Sequence, residues 1–181
     1  MKLQRINQIL EGKNYHYILI NHFKFLENSE INNIRDFSLQ FVNSEYFLNE
    51  YVADITKNWD NKLQFPFNIE MLENNDIHAK DEYIIDFLLN NFILEYKKAG
   101  IDVTNGFGDD FQFSVNVLKN YISNFKFDNK FSLLTTDDFP HTSEKVVDLY
   151  QIMNYIVDYF YFGIIPLKNN NEFITFESAY E

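Results

Sequence analysis

Residues 145–166 read KVVDLYQIMNYIVDYFYFGIIP and form the most apolar long stretch of the chain. A membrane-spanning helix needs about 20 mostly apolar residues with few charges. Asp148 and Asp158 interrupt this stretch, and on a helical projection its polar and apolar side chains fall on opposite arcs. Gly163 is of the type that ends a helix. The stretch therefore predicts a soluble amphipathic helix over residues 145–162.

Several other segments repeat apolar residues at helical spacing. They are residues 30–42, 44–59, 78–99 and 109–125. In the third of these segments, acids lie near the start and lysines near the end, which complements the helix dipole. Leu3, Ile6 and Leu10 indicate a further helix that ends at Gly12. Residues 15–26, YHYILINHFKFL, are compatible with either a helix or a strand.

A few segments indicate β structure. FKFDNKFSLL predicts a hairpin near residues 125–134 that turns at Asp128-Asn129, and EFITFE predicts a C-terminal strand over residues 172–177. No internal repeat or low-complexity linker divides the chain. We therefore expect a mainly α fold, with about five or six helices and minor β elements, in a single domain over residues 1–181. The alternative is an α+β fold.

Composition excludes several classes of function. The chain has no cysteine, which excludes disulfide frameworks, thiolate metal sites and cysteine nucleophiles. The first residues lack the apolar core of a signal peptide, so we expect a cytoplasmic protein. The abundance of Asn, Ile, Phe, Tyr and Lys, whose codons are AT-rich, indicates a low-GC bacterial genome or one of its mobile elements.

The formal net charge is −12. An acidic surface repels phosphate, and the densest basic run is only Lys97-Lys98, so we expect no direct binding of nucleic acid. Anionic membranes are disfavoured for the same reason. A basic protein partner would be attracted, although net charge also serves solubility alone.

Histidine, glycine and acid patterns give little support to catalysis. No two of the four histidines have the spacing of a helical metal site. His78 lies near several acids, which permits weak binding of a divalent ion, but a residue at a helix start is the simpler reading. The loop at residues 101–110 lacks the lysine of a phosphate-binding loop. We therefore predict no metal, no cofactor and no catalytic residues.

The acids and tyrosines instead indicate a protein-binding surface. Tyr presents a large apolar ring with a polar tip and loses little entropy when it is bound, and carboxylates pair with lysine or arginine of a partner. An ordinary solvated face is the alternative reading of these residues. The predicted partner-binding residues are Asp109, Asp110, Glu144, Asp148, Tyr155, Asp158 and Tyr159.

Together these features favour a cytoplasmic immunity or antitoxin protein. Such a protein would bind a basic, nuclease-like toxin and block it by steric and electrostatic means. The small size, the acidic charge and the lack of cysteine, export signal and catalytic motif agree with this. In general composition the chain resembles bacterial immunity proteins, and the likeness rests on no motif.

Three alternatives remain open at this point. A phage or mobile-element anti-defence protein would mimic nucleic acid with rows of carboxylates, but here lysines interleave with the acids. An enzyme would bring dispersed carboxylates and histidines together in a cleft, for example at His16 or His22. A structural or regulatory subunit would need no site of its own.

Overall fold

The computed structural model describes residues 1–14, 16–27, 31–51, 66–98, 107–136, 143–145, 159–168 and 171–180. Six strands are present in these ranges: β1 (Leu3–Lys13), β2 (His16–Phe25), β3 (His78–Asp81), β4 (Lys130–Thr135), β5 (Tyr159–Pro166) and β6 (Glu172–Tyr180). The α-helices are α1 (Ile34–Val42), α2 (Ile84–Lys98) and α3 (Phe107–Ile122). Short helical turns at Phe47–Tyr51, Ile69–Met71 and Asn74–Asp76 complete the described elements.

All six strands belong to one antiparallel sheet with the order β1-β2-β6-β5-β4-β3. β2 and β5 flank β6, so the centre of the sheet joins the two ends of the described chain. Asn14 and Asn171 adopt the left-handed conformation in the turns that join β1 to β2 and β5 to β6, with φ of 53° and 52°. Asn tolerates this region better than most residues, which explains why it occupies both turns.

Helices cover both faces of the sheet. On one face, here called the α1 face, α1 packs on a phenylalanine-rich cluster from β2, β5 and β6. Phe41 lies in this cluster, and its ring centroid is 5.8 Å from that of Phe23, 5.3 Å from Phe47 and 5.4 Å from Phe173. On the other face, here called the α3 face, α2 and α3 pack on alternate residues of the same strands. The core therefore has two layers, one on each side of the sheet.

The prediction of a mainly α fold is wrong, and the α+β alternative is correct. The decisive error is at residues 159–162, which were assigned to a helix and belong to β5. Phe160 and Phe162 pack on the α1 face, whereas Tyr161 and Ile165 pack on the α3 face. A strand that is buried on both faces reads as a continuous apolar run, so it lacks the alternation that marks a half-exposed strand. Residues 146–158 lie outside the described residues.

Three further assignments were wrong. Leu3, Ile6 and Leu10 belong to β1 and not to a helix. His78 lies in β3, six residues before α2 begins at Ile84, so it is not a helix-start residue. The segment 125–134 is no local hairpin, because β4 pairs with β3 and β5, and Phe127 forms a bridge with Leu167.

Other predictions are confirmed. The structure contains helices that overlap 30–42, 78–99 and 109–125, and the C-terminal strand extends over Glu172–Tyr180. The ambiguous segment 15–26 contains β2. Among the described residues, no helix is long and apolar enough to cross a membrane. A single domain over residues 1–181 stays a prediction.

Candidate functional site

The predicted partner-binding residues do not come together in the described part of the molecule. Asp148, Tyr155 and Asp158 lie outside the described residues. Tyr159 begins β5, where its backbone pairs with Tyr180. The remaining three residues fall at two separate places: Asp109 and Asp110 in the first turn of α3, and Glu144 in a turn that contacts the segment before β3.

Asp109 and Asp110 differ in their surroundings. Asp109 is exposed, whereas Asp110 is only 5% exposed. Lys13 Nζ lies 3.0 Å from Asp110 Oδ1, and Asn14 Nδ2 donates to Oδ2 at 2.6 Å. Burial alone would raise the pKa of the Asp110 carboxyl, but these hydrogen bonds and the charge of Lys13 outweigh burial and lower it. The Asp110 carboxylate thus fastens the β1–β2 turn to α3, which leaves Asp109 as the accessible acid of the pair.

Glu144 lies beside a concentration of carboxylates that the sequence reading overlooked. Lys145 Nζ donates to Asp76 Oδ2 at 2.8 Å and to Glu73 Oε2 at 3.4 Å, and Asn68 N donates to Lys145 O at 2.9 Å. These contacts hold the turn that carries Glu144 against the segment that precedes β3. We call the carboxylates that precede, belong to and follow β3 in the chain, together with Glu144, the acidic surface. It consists of Glu70, Glu73, Asp76, Asp81, Glu82, Asp86 and Glu144.

The acidic surface has a strong charge imbalance. Between residues 66 and 90 there are six carboxylates and one lysine, Lys80, whose Nζ lies 4.9 Å from the centre of the Phe87 ring. All members of the surface except Asp76 are exposed. Met71 is 39% exposed between Glu70 and Glu73 and gives the surface an apolar, adaptable side chain. Such a combination suits a basic protein partner, because charge steers the encounter and the apolar group anchors it.

A second polar arrangement lies on the α3 face, around His22. His22 Nε2 is 3.0 Å from Glu172 Oε2, and Tyr121 Oη is 3.3 Å from His22 Nδ1. Asn7 Nδ2 donates to Tyr121 Oη at 3.3 Å. An ionised carboxylate only accepts, so His22 Nε2 donates to Glu172, and His22 Nδ1 and Tyr121 Oη share the second hydrogen bond. Burial raises the pKa of Tyr121, which keeps this hydroxyl protonated.

This chain of hydrogen bonds joins β1, β2, β6 and α3. The His22 ring is only 5% exposed and packs edge-on against Phe125 at 4.9 Å. A tyrosine, histidine and carboxylate in series are able to relay a proton, but access to the ring nitrogens is closed by the groups that bond to them. The arrangement therefore serves to fasten α3 to the sheet.

Replacement of Tyr121 by phenylalanine tests this structural role. The change leaves His22 Nδ1 without its hydrogen-bond partner, so we expect the free energy of unfolding to fall by about 1 kcal/mol. Urea denaturation would measure it. Tyr83→Phe is the matched control, since it preserves the packing of that ring on Phe127. Equal losses in the two variants would contradict the role of the Tyr121 hydroxyl.

The described residues contain no group of three or more histidines and carboxylates placed to hold a metal ion, and His78 has no such site around it. The acids at 70–86 are close together in the sequence, whereas only the contacts of Lys145 bring Glu144 to them. No protein-family model, curated protein or solved structure matches the chain.

Proposed function

We propose that the protein is a cytoplasmic immunity or antitoxin protein that binds a basic protein toxin and blocks it. The acidic surface around β3 is the observation that supports this function best. It offers exposed carboxylates on a folded scaffold, and inhibition by binding requires no catalytic group. A nuclease-like toxin is the fitting class, because such enzymes carry lysine and arginine where they hold phosphates.

Electrostatic and steric blocking fits the acidic surface better than mimicry of nucleic acid does. A phosphate mimic needs uninterrupted carboxylates at regular spacing. Here Lys145 lies within 3.4 Å of both Glu73 and Asp76, and Lys80 interrupts the series in β3. The cations divide the acids into smaller groups, which suits pairing with individual lysine and arginine side chains of a partner.

Charge reversal on the acidic surface is the direct test. We expect Glu70→Lys combined with Glu82→Lys to weaken binding of the partner by roughly tenfold or more, because each substitution replaces an attraction by a repulsion. The tagged protein would first capture its partner from a lysate of the native host at low salt. The affinity of the purified pair would then be measured at low and high salt, since screening weakens exposed charge pairs.

Glu27→Lys combined with Asp128→Lys is the matched control. This double variant changes the net charge by the same amount, at two exposed acids that do not belong to the acidic surface. Each of the two acids forms an ion pair with an exposed lysine. We expect it to change the affinity less than threefold or so. The captured protein must also arrest growth when it is expressed alone and lose that effect when it is co-expressed with the wild-type chain. Capture of nucleic-acid defence machinery, or binding that is insensitive to both salt and charge reversal, would contradict the proposal.

A further inference from the structure

We infer that the open edge of β1 is a self-association surface, through which a second copy of the chain extends the sheet. β1 is 11 residues long and pairs with β2 on one side, while no described strand pairs with its other side. The edge strand of a sheet presents unpaired N–H and C=O groups to another strand. Ile6 and Leu10 are 47% and 38% exposed along this edge, so it also presents two apolar side chains.

α3 adds an apolar flank to the same edge. Tyr121 bonds to Asn7, and Asp110 bonds to Asn14, so α3 runs alongside β1 in the opposite direction. Val117 and Phe113 lie one and two turns before Tyr121 on this side of the helix and are both half-buried. A two-fold axis normal to the sheet would place both copies of α3 on the same side of the joined sheet, where these two flanks approach each other.

The local charge favours contact between copies at this edge. Residues 1–14 carry three basic side chains and one acidic side chain, whereas the whole chain has a net charge of −12. This segment therefore does not add to the negative charge by which two copies repel each other. The same local charge disfavours the basic partner proposed above, which separates the two surfaces.

An antiparallel register with the axis at Leu10 satisfies both the charges and the faces of the sheet. Leu10 then faces its own copy, Asn7 faces Lys13, and Ile9 faces Glu11. An axis at Glu11 would instead oppose two glutamates.

An axis at Gln8 fails for a different reason. It would pair Arg5 with Glu11, but these residues lie on opposite faces, because the bulge between Arg5 and Asn7 shifts the alternation. The bulge also limits the straight part of the edge to residues 7–13. The interface between the two copies is therefore small, and we expect a dimer with a dissociation constant in the roughly micromolar range.

Sedimentation velocity over about 1 to 200 µM tests the association. Leu10→Lys would bring two ammonium groups together at the axis, so we expect it to weaken the dimer by roughly tenfold or more. Leu94→Lys makes the same substitution at an apolar residue of α2 that is 50% exposed, and we expect it to leave the dimer unchanged. Thermal unfolding of both variants would verify that they fold.

Cysteine substitution tests the register. The chain has no cysteine, so a single Leu10→Cys substitution reports only on this position. Directly opposed residues of antiparallel strands have the Cα separation of a disulfide, and mild oxidation is expected to cross-link Leu10→Cys rapidly and Leu94→Cys slowly.

Three results would overturn the inference. They are a wild-type chain that stays monomeric over the whole range, a Leu10→Lys variant that dimerises like the wild type, and equal cross-linking of the two cysteine variants. Protection of the β1 amides from hydrogen exchange only after a different protein is added would also overturn it, because the edge would then belong to that protein.

Discussion

Replacement of Gly163 by alanine is expected to lower the free energy of unfolding by roughly 3 kcal/mol or more. Gly163 lies within β5, directly opposite Phe176 of β6. A Cβ atom at this position would lie 2.1 Å from Phe176 Cε1 and 2.3 Å from Cζ. Phe176 is fully buried, so its ring has no free space to enter, and the two central strands would have to separate.

Chemical denaturation of wild type and variant would measure the loss. Gly12→Ala is the matched control, because the nearest atoms to a Cβ there are the carbonyl oxygen of His16, at 3.3 Å, and Tyr17 Cβ, at 3.9 Å. We expect this control to lose less than about 1 kcal/mol. A second substitution, Phe176→Leu, removes the ring that causes the clash, so the double variant should be more stable than Gly163→Ala alone. A Gly163→Ala variant as stable as the wild type would contradict the packing of β5 on β6.

Acidification from pH 6.5 to 4 is expected to remove up to about 3 kcal/mol of stability through His16 alone. Burial lowers the pKa of His16 from 6.5 to about 4, and the nearby Asp110 charge only partly offsets this effect. The unfolded chain therefore binds a proton at a pH where the folded chain does not. The contribution of His16 to stability is therefore complete above pH 6.5 and decreases as the pH falls towards 4.

His16→Gln isolates this contribution, because the glutamine does not titrate in this range. We expect the variant to lose less stability than the wild type between pH 7 and pH 4.5, and an unfolding measurement at pH 7 would verify that it folds. The lowered pKa of Asp110 reduces stability in a separate pH range, as the pH falls below about 4. An NMR titration in which His16 of the folded protein takes up a proton near pH 6.5 would contradict the prediction.

Sequence patterns identified α1 and α3, which expose one side to solvent and show the helical spacing that burial of a single side requires. β6 was also predicted, although it is buried on both faces. The same reasoning failed at β5, whose residues are buried alternately on two faces. It also failed at β1, where the bulge adds one residue between Arg5 and Asn7, so that Leu3, Ile6 and Leu10 acquire helical spacing within a strand.

The candidate site was harder to predict than the fold. Glu144 was predicted as a partner-binding residue on the polar side of a helix, whereas the structure places the next residue, Lys145, against Glu73 and Asp76. Asp110 was chosen as a surface acid, yet it is buried against Lys13. Contacts between residues 69 or more positions apart decide both outcomes, and a local pattern contains no information about them.

The position of β6 between β2 and β5 also determines the order of assembly during synthesis. β2 is complete once residue 25 has left the ribosome, but its second neighbour, β6, begins at residue 172. Until β6 has been synthesised, β2 and later β5 present unpaired, strongly apolar edges to other chains. Pairing over such a sequence distance folds slowly and exposes nascent chains to aggregation. The protein thus depends on its last strand to close the middle of its sheet.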